Sequence, residues 1–585
     1  MVEHFASAYL FGIGNQKMID TYQWPWMKRW GIGGAIVILA VGVFMRFYAI
    51  ARPQFFLFDE GYYLNFNYKF VEAASAFTPK NFSEWWQMFL AFLKVCLGTG
   101  KVLWFVLVDA RVFVGAAHAW HFPRIVSSVA GMVTILLTYF FAKRFYQSRS
   151  TAVLSVLFLA ILPSHIFYSR LALQEAISGL FFLLGFYFYL FPQRLSYRTF
   201  LSAIFFSCAY FTNYRLILIP FLIAFTEVFW CSIPTFGTTA PDKNKIVEAF
   251  RKCLWHTLIF FLLVFFIGGL DNGRNIKVTF GWMFHQTDLA QKHVDWLGFL
   301  SYPYYLCRLE GWLLGILFFA NGYLVMRKQW RESFPFLLVL CLMGIFSLTS
   351  EKGARYLCVG LPFVTMAVAY LLNFIFKERT GKISQGVGSA VVILLVISLL
   401  FKAWGLVFVR WDYQASIDFL KQRDPQAKIL STQPWAQNLL VENKDDVEAA
   451  PHGCKRLLMW YLQGYRYLII DPQAYVSYGA ENKKFNLELK GCLGLINSRL
   501  RPIKIFPHFN LAILERIVFE HNEQLAQSIS FLSQSEEKKL GTLRIYDLND
   551  YAYAVMKQSS AISSQEQDQD LGTEDSSLEA PFVKK

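Results

Sequence analysis

Residues 58–63 read FDEGYY, and the twenty residues before position 51 are the apolar run GIGGAIVILAVGVFMRFYAI at 31–50. Asp59 and Glu60 therefore set two carboxylates side by side just past a membrane-length segment. Adjacent side chains point in different directions, and two nearby carboxylates resist joint ionisation unless a cation intervenes. A carboxylate in such a place can take a proton from a hydroxyl or orient it. As acids near a helix that starts at Gly61, both could instead serve only as caps.

Cations that could answer these acids recur in three further loops. YSRLALQEAI at 168–177 carries Arg170 and Glu175, FTNYRLI at 211–217 carries Arg215, and SEKGARYL at 350–357 carries Lys352, Arg355 and Tyr356. Each ends a pair of apolar segments on the same side as FDEGYY. Snorkelling to lipid headgroups explains any one of them. Their recurrence at one level favours an anionic ligand, which charge-assisted hydrogen bonds would hold. For Glu175, capping the following helix is the competing role. His165 sits in an apolar segment as a satisfied helix histidine, and nothing in the spacing of His285 and His293 singles out a metal.

The elements that must position these residues are membrane helices. Of 585 residues, 55% are hydrophobic, 18% aromatic and only 17% charged, too apolar for a soluble multidomain chain. About 20 apolar residues cross the hydrocarbon core. Spans are expected at 31–50, 123–142, 151–168, 174–191, 199–213, 216–231, 254–270, 309–326, 334–349, 355–376 and 387–409. The fold expected is thus a polytopic α-helical membrane protein of about 11 spans, with its first span kept as an anchor rather than cleaved.

Basic residues such as Lys28, Arg29, Lys143, Arg144, Arg194, Arg251, Arg327 and Lys377 then fall on one side, cytoplasmic by the positive-inside rule. The net charge of +15 is explained by this bias, and nucleic-acid binding is not expected. KVLWFVLVDARVFVGAAHAW at 101–120 carries Asp109 and Arg111 and is expected to lie at the interface, inside one external loop over 51–122. Residues 1–30 form a cytoplasmic segment and 31–409 the membrane domain. Alternating helix and strand patterns over 410–555 point to an extracytoplasmic α/β domain, and the polar, acidic 556–585 to a disordered tail. Cys454 and Cys492 could pair if that domain faces an oxidising compartment, with coincidence as the alternative.

In order along the chain, these motifs resemble the GT-C superfamily of membrane glycosyltransferases, especially its protein O-mannosyltransferase and aminoarabinose (lipid A) transferase branches. The residues carrying the resemblance are FDEGYY, Lys101 to Gly115, Arg124 in HFPRIVSSVAGMVTILLTYFFAKRF, ILPSHIFYSRLALQEAI and EKGARYLCVGLPF, over about residues 31–376. The resemblance implies a polyprenyl-phosphate sugar donor, dolichyl or undecaprenyl. It implies an acceptor that is a protein, a lipid A phosphate or an envelope glycan, and an active site on the outer face, as in a bacterial inner membrane. It assigns Asp59 the principal catalytic carboxylate, with Glu175 as a second acid. Glu60 pairs with Arg124 to organise the loop. Lys101, Arg170, Arg215, Lys352, Arg355 and Tyr356 are left for the donor's phosphate or sugar. No cofactor is implied with certainty, although a divalent metal is possible. Direct displacement would invert the anomeric carbon. Transport of a lipid-linked sugar, or a noncatalytic role in envelope assembly, is the alternative function.

Overall fold

A computed structural model describes residues 25–52, 57–66, 71–113, 120–191, 195–232, 243–270, 276–281, 296–349, 352–378, 382–409, 412–473, 491–507, 511–521, 525–533 and 542–553, apart from isolated positions within these ranges. Gly115, His285, His293, the N-terminal 24 residues and the 556–585 tail lie outside the described residues. Two compact units are formed. The first contains the described residues up to 409 together with 511–521 and 525–533, and the second contains those of 412–473, 491–507 and 542–553.

The first unit is an integral membrane domain. Its helices are α1 (Pro25–Phe47), α2 (Phe58–Phe66), α3 (Phe82–Leu97), α4 (Val102–Asp109), α5 (Phe122–Tyr146), α6 (Arg149–Ala160), α7 (Pro163–Arg170), α8 (Glu175–Leu190), α9 (Leu195–Thr212), α10 (Ile219–Ser232), α11 (Lys243–Gly269), α12 (Trp312–Phe319), α13 (Trp330–Ser347), α14 (Leu361–Glu378) and α15 (Lys382–Val407). Each of the eleven segments expected to span overlaps helix, with breaks inside 151–168 at Ile161–Leu162 and inside 309–326 at Gly311 and Ala320–Asn321. Among the described residues, five helices are long and apolar enough to cross a membrane, and α6 with α7 adds a sixth if that bent pair is one span.

Local chemistry explains several of these helices. α5 opens with Pro123 in its first turn, where a missing N–H costs nothing, and closes with Lys143 and Arg144, which favour the negative helix end. α6 and α7 meet at a 55° bend before Pro163. The carbonyls freed there accept from Arg46, through Nη1 to Ala160 (2.9 Å) and Nη2 to Leu159 (3.3 Å). Arg46 Nη2 also donates to His165 Nδ1 at 2.5 Å, so this histidine is a satisfied structural one. The arginine is fully buried in an otherwise apolar run, and the break gives it partners. Packing is close where α5 passes α7: a Cβ on Gly131 would fall 2.7 Å from that of Ser169.

Before α5 the described residues form the shorter helices α2, α3 and α4. α3 leaves Phe82, Trp86 and Leu90 exposed on one side, as an interfacial helix does. α4 continues as a 3-10 turn through Val112, and Asp109 and Arg111 pair at 3.6 Å. α2 starts at Phe58 rather than near Gly61, so Asp59 and Glu60 lie inside its first turn.

The second unit holds α16 (Asp412–Arg423), α17 (Cys454–Leu462) and a five-stranded sheet in the order β2-β1-β3-β5-β4. Its strands are β1 (Lys428–Ser431), β2 (Val447–Ala449), β3 (Tyr465–Ile470), β4 (Lys504–Pro507) and β5 (Thr542–Asp547). β1 is parallel to β2 and β3, while β5 is antiparallel to β3 and β4. Ile429, Leu468, Ile469 and Ile545 are buried in this sheet. Cys454 and Cys492 are joined in a disulfide.

The contiguous α/β domain expected over 410–555 needs correction. Between the paired strands β4 and β5 the chain leaves for α18 (Leu511–His521) and α19 (Leu525–Ser533), which belong to the first unit. Residues 513–520 of α18 are buried without interruption, because its charged side chains find partners there.

Candidate active site

Glu60 is the most completely enclosed of the acids in FDEGYY, with no exposed surface. Arg124, in the first turn of α5, donates to it through Nε (2.6 Å to Oε1) and Nη2 (2.9 Å to Oε2). The Ala172 backbone N–H adds a third bond to Oε1 at 2.7 Å. A single carboxylate thus ties α2, α5 and the turn between α7 and α8 together, in the planar two-point geometry that arginine supplies and lysine does not. Arg124 also lies 5.1 Å from the Trp120 ring centre.

Asp59, one residue earlier, points elsewhere. Its Oδ2 accepts from Nη1 of Arg355, a residue of the 3-10 turn Ala354–Gly360 that leads into α14. Arg355 is the hub of the acids: its Nε lies 3.9 Å from Glu175 Oε1 and 3.4 Å from Glu520 Oε2. Its backbone N–H donates to Glu520 Oε1 at 2.9 Å. Glu175 starts α8, where an acid suits the positive helix end, yet its side chain makes no cap bond. Both of its carboxylate oxygens are buried without a hydrogen-bond partner among the described residues.

Lys101 precedes α4 and is buried. Its Nζ donates to Tyr63 Oη and sits 3.9 Å from the centre of that ring. Burial, with Arg215 next and Asp59 opposing, pushes the Lys101 ammonium down to about 7. Arg355 and Glu175 are also within its electrostatic reach. Burial pushes the Tyr63 phenol up, keeping it protonated as a partner. Arg215 lies in the 3-10 turn Tyr214–Leu218 ahead of α10, 4.2 Å from the centre of the Tyr356 ring. A cavity lined by Glu175, Asn213, Arg215, Arg355 and Tyr356 opens among these groups.

Lys352 is not drawn into this cluster in the same way. It lies just past α13, donating from Nζ to the Thr349 carbonyl (3.1 Å), with its stem against Gly298. Arg170, expected at the donor's phosphate or sugar, is engaged by backbone carbonyls. Its guanidinium donates to the backbone oxygens of Met45 (2.9 Å), Arg46 (3.4 Å) and Tyr48 (3.0 Å). The last carbonyls of a helix have no partners within it, and Arg170 supplies them at the end of α1.

The residues that sequence reasoning missed are Glu520, Tyr63 and Tyr168. Tyr168 donates to Glu520 Oε1 from the end of α7. Tyr63 was visible in FDEGYY as an aromatic next to the acids, but no local pattern connects Glu520 to a turn 165 residues earlier. Among the described residues, no group of three His, Cys, Asp or Glu side chains could hold a metal ion. Asp59, Glu175 and Glu520 instead converge on a guanidinium.

Comparison with known proteins follows this geometry. Residues 36–267 match the family model of dolichyl-phosphate-mannose-protein mannosyltransferases. That stretch includes Asp59, Glu60, Lys101, Arg124, Glu175 and Arg215 and ends before Arg355 and Glu520. The Archaeoglobus fulgidus oligosaccharyltransferase in its apo form is similar in structure at 10% identity and TM-score 0.51, over 83% of this chain and 74% of that one. The oligosaccharyltransferase AglB of the same organism, in complex with an inhibitory peptide and a dolichol-phosphate, is similar at 10% identity and TM-score 0.50, over 82% and 74%. ArnT from Cupriavidus metallidurans bound to undecaprenyl phosphate gives 11% identity and TM-score 0.45, over 76% and 94%. No curated protein matches the chain in sequence.

Proposed function

We propose that this chain, which carries a dolichyl-phosphate-mannose-protein mannosyltransferase domain over residues 36–267, is a GT-C membrane glycosyltransferase that moves a sugar from a polyprenyl phosphate to an acceptor outside the cytoplasm. The observation that carries this reading is the meeting of five charged groups from five separate segments: Glu175, Arg215 and Arg355 line one small cavity, Asp59 pairs with Arg355, and Lys101 lies within electrostatic reach of all four. A buried site with three cations suits a phosphate leaving group, whose developing charge fixed donors stabilise. The dolichol-phosphate named with AglB, and the family name itself, agree with such a donor.

In the reaction, an acceptor oxygen attacks the anomeric carbon as the bond from that carbon to the phosphate oxygen breaks. The electron pair leaves with the polyprenyl phosphate, and configuration is inverted. Asp59 takes the acceptor hydroxyl's proton, or orients the acceptor where that is itself a phosphate. Arg355, shared among carboxylates without substrate, transfers part of its hydrogen bonding to the phosphate. Lys101 and Arg215 complete the anion site. Glu60 and Arg124 hold the Asp59 turn without touching substrate. A protein hydroxyl, a lipid A phosphate and an envelope glycan are the acceptor classes compatible with this chemistry.

The disulfide of the second unit supports an extracytoplasmic place for that unit, since disulfides persist in oxidising compartments. The test is transfer of label from radiolabelled dolichyl- and undecaprenyl-phosphate sugars to membrane extract by purified protein, against Asp59→Asn. Label should move with the native chain and not with the variant. Unchanged transfer by a folded Asp59→Asn protein removes the assignment of Asp59. Translocation of the lipid-linked sugar without transfer moves the function to transport.

A further inference from the structure

The helix α18, LAILERIVFEH, brings three charged side chains into the first unit: Glu515, Arg516 and Glu520, each less than a tenth exposed. Buried charges are costly unless they are paired, so each of these fixes the helix against a defined partner. Glu515 Oε1 accepts from Arg308 Nε at 2.8 Å. Arg516 Nη1 donates to Ser164 Oγ at 2.7 Å, and the Ser164 backbone N–H donates to Glu310 Oε2 at 3.1 Å. Glu515 and Arg516 thus dock the helix on Arg308 and Ser164 and, among the described residues, make no ion pair with Arg355.

Glu520 lies one turn and a residue further on, and its partners differ in kind. Its Oε1 accepts from the Arg355 N–H at 2.9 Å and from the Tyr168 hydroxyl, and its Oε2 faces Arg355 Nε at 3.4 Å. The receiving turn has no room to spare. A Cβ added to Gly353 would stand 3.0 Å from Glu520 Oε2 and 3.3 Å from the Tyr356 ring.

We propose that Glu520 is a positioning residue for sugar transfer: it holds the Gly353–Tyr356 turn from behind, so that the Arg355 guanidinium lies across Asp59 and is presented to the donor phosphate. This rests on the reading of Arg355 as a phosphate ligand. The backbone bond fixes where the turn lies, and the carboxylate facing Nε fixes the rotation of the guanidinium. Arg355 has a planar fork, so a misplaced turn costs it the directional bonds a phosphate needs. The residue comes from outside the stretch matched by the family model, so the site is completed by a helix that lies between two strands of the second unit in chain order.

The experiment uses the full-length chain in detergent, with undecaprenyl phosphate as the binding probe and label transfer as the activity. Glu520→Ala leaves the Arg355 N–H and the Tyr168 hydroxyl without their acceptor, and is expected to weaken undecaprenyl phosphate binding about tenfold and to slow transfer further. Glu520→Gln keeps one acceptor oxygen for the Arg355 N–H and the Tyr168 hydroxyl but sets an amide donor against Arg355 Nε, and is expected to bind more weakly than the native chain and more tightly than Glu520→Ala. Gly353→Ala crowds the carboxylate without removing it, shifting it by a few tenths of an ångström, and should weaken binding in the same direction by a smaller factor. Glu515→Gln, which loosens the same helix at Arg308, should lower the melting temperature and leave binding unchanged.

Native-like binding and transfer by folded Glu520→Ala overturns the inference, as does an equal loss of binding in Glu515→Gln. If Glu520→Ala does not fold, Gly353→Ala decides, and native binding by that variant overturns it. A native chain that does not bind undecaprenyl phosphate overturns the phosphate site and this inference with it, whereas native binding with an indifferent Gly353→Ala overturns only the role of Glu520.

Discussion

Arg124 grips Glu60 through two parallel bonds, Nε to Oε1 at 2.6 Å and Nη2 to Oε2 at 2.9 Å, with neither side chain more than 1% exposed. Removing one partner of such a pair strands the other as a buried charge. Arg124→Ala should therefore destabilise the membrane unit by about 3–5 kcal/mol. Arg124→Lys should recover little, because an ammonium does not reproduce the fork. Thermal unfolding of the detergent-solubilised variants checks both. A double variant, Glu60→Gln with Arg124→Met, should lose less than the sum of its parts, and full additivity would mean that the pair is not coupled.

Asp59 differs from its neighbour in having Arg355 as a partner and a partly exposed carboxylate. With a hydroxyl acceptor, Asp59→Asn should lower the transfer rate by about 10²–10⁴. Its melting temperature should stay close to that of the native chain, since Glu60 holds the turn. If the acceptor is a phosphate, the same variant should raise the acceptor KM more than it lowers kcat. Steady-state rates over a range of acceptor concentrations separate these outcomes.

Lys101 should make donor affinity depend on pH. Burial and Arg215 lower its ammonium to about 7, so without ligand it is charged below that pH and increasingly neutral above it. A phosphate binds the charged form, and undecaprenyl phosphate affinity should therefore fall as pH rises through about 7. The groups that face the amine are Asp59, Glu175, Arg215 and Arg355, together with the Tyr63 hydroxyl. Lys101→Arg leaves all of them in place, stays charged, and should flatten the profile. Binding titrations from about pH 6 to about 9 make the comparison, and an unchanged profile in Lys101→Arg rules out this assignment.

Arg170 is expected to matter for folding and not for the donor. Arg170→Met should cost about 1–3 kcal/mol, as carbonyls at the end of α1 lose their donor. Undecaprenyl phosphate affinity should not move. A selective loss of affinity in a stable variant would return Arg170 to the phosphate site.

In the second unit, the Cys454–Cys492 bond closes a loop with a sequence separation of 38. Loop entropy puts its contribution near 4 kcal/mol. Cys454→Ser with Cys492→Ser should lower the unfolding temperature of that unit, and the native chain should run faster than the reduced one on a denaturing gel. Identical mobility with and without reductant would show that the bond does not form.

Much of this organisation was legible because it rests on local chemistry. Long apolar runs, basic loops on one side and Pro163 after an apolar stretch gave the membrane helices. The patterns AKILST, YRYLIID, RPIKIF and LRIYDL lie on β1, β3, β4 and β5. The three-residue β2, in DVEAA, is too short for alternation to reveal. The adjacent acids Asp59 and Glu60, the cations Arg215 and Arg355, and Glu175 could be selected as unusual groups at the ends of apolar segments, and Lys101 through the family resemblance.

Arg170 and Glu520 mark where local pattern ends. An arginine after a helix looks the same whether or not it bonds to backbone carbonyls, and only the path of α1 brings those of Met45 and Tyr48 to Arg170. LAILERIVFEH has the alternation of an amphipathic helix on a soluble domain, yet its charged residues are buried within the membrane unit. The sequence by itself determined a membrane chain with a paired acid motif and its cations, because burial and charge costs act on each segment separately. Which carboxylates share Arg355, and that one of them arrives from α18, only the tertiary structure decided, because that pairing is a contact between residues 165 positions apart and leaves no trace in local periodicity.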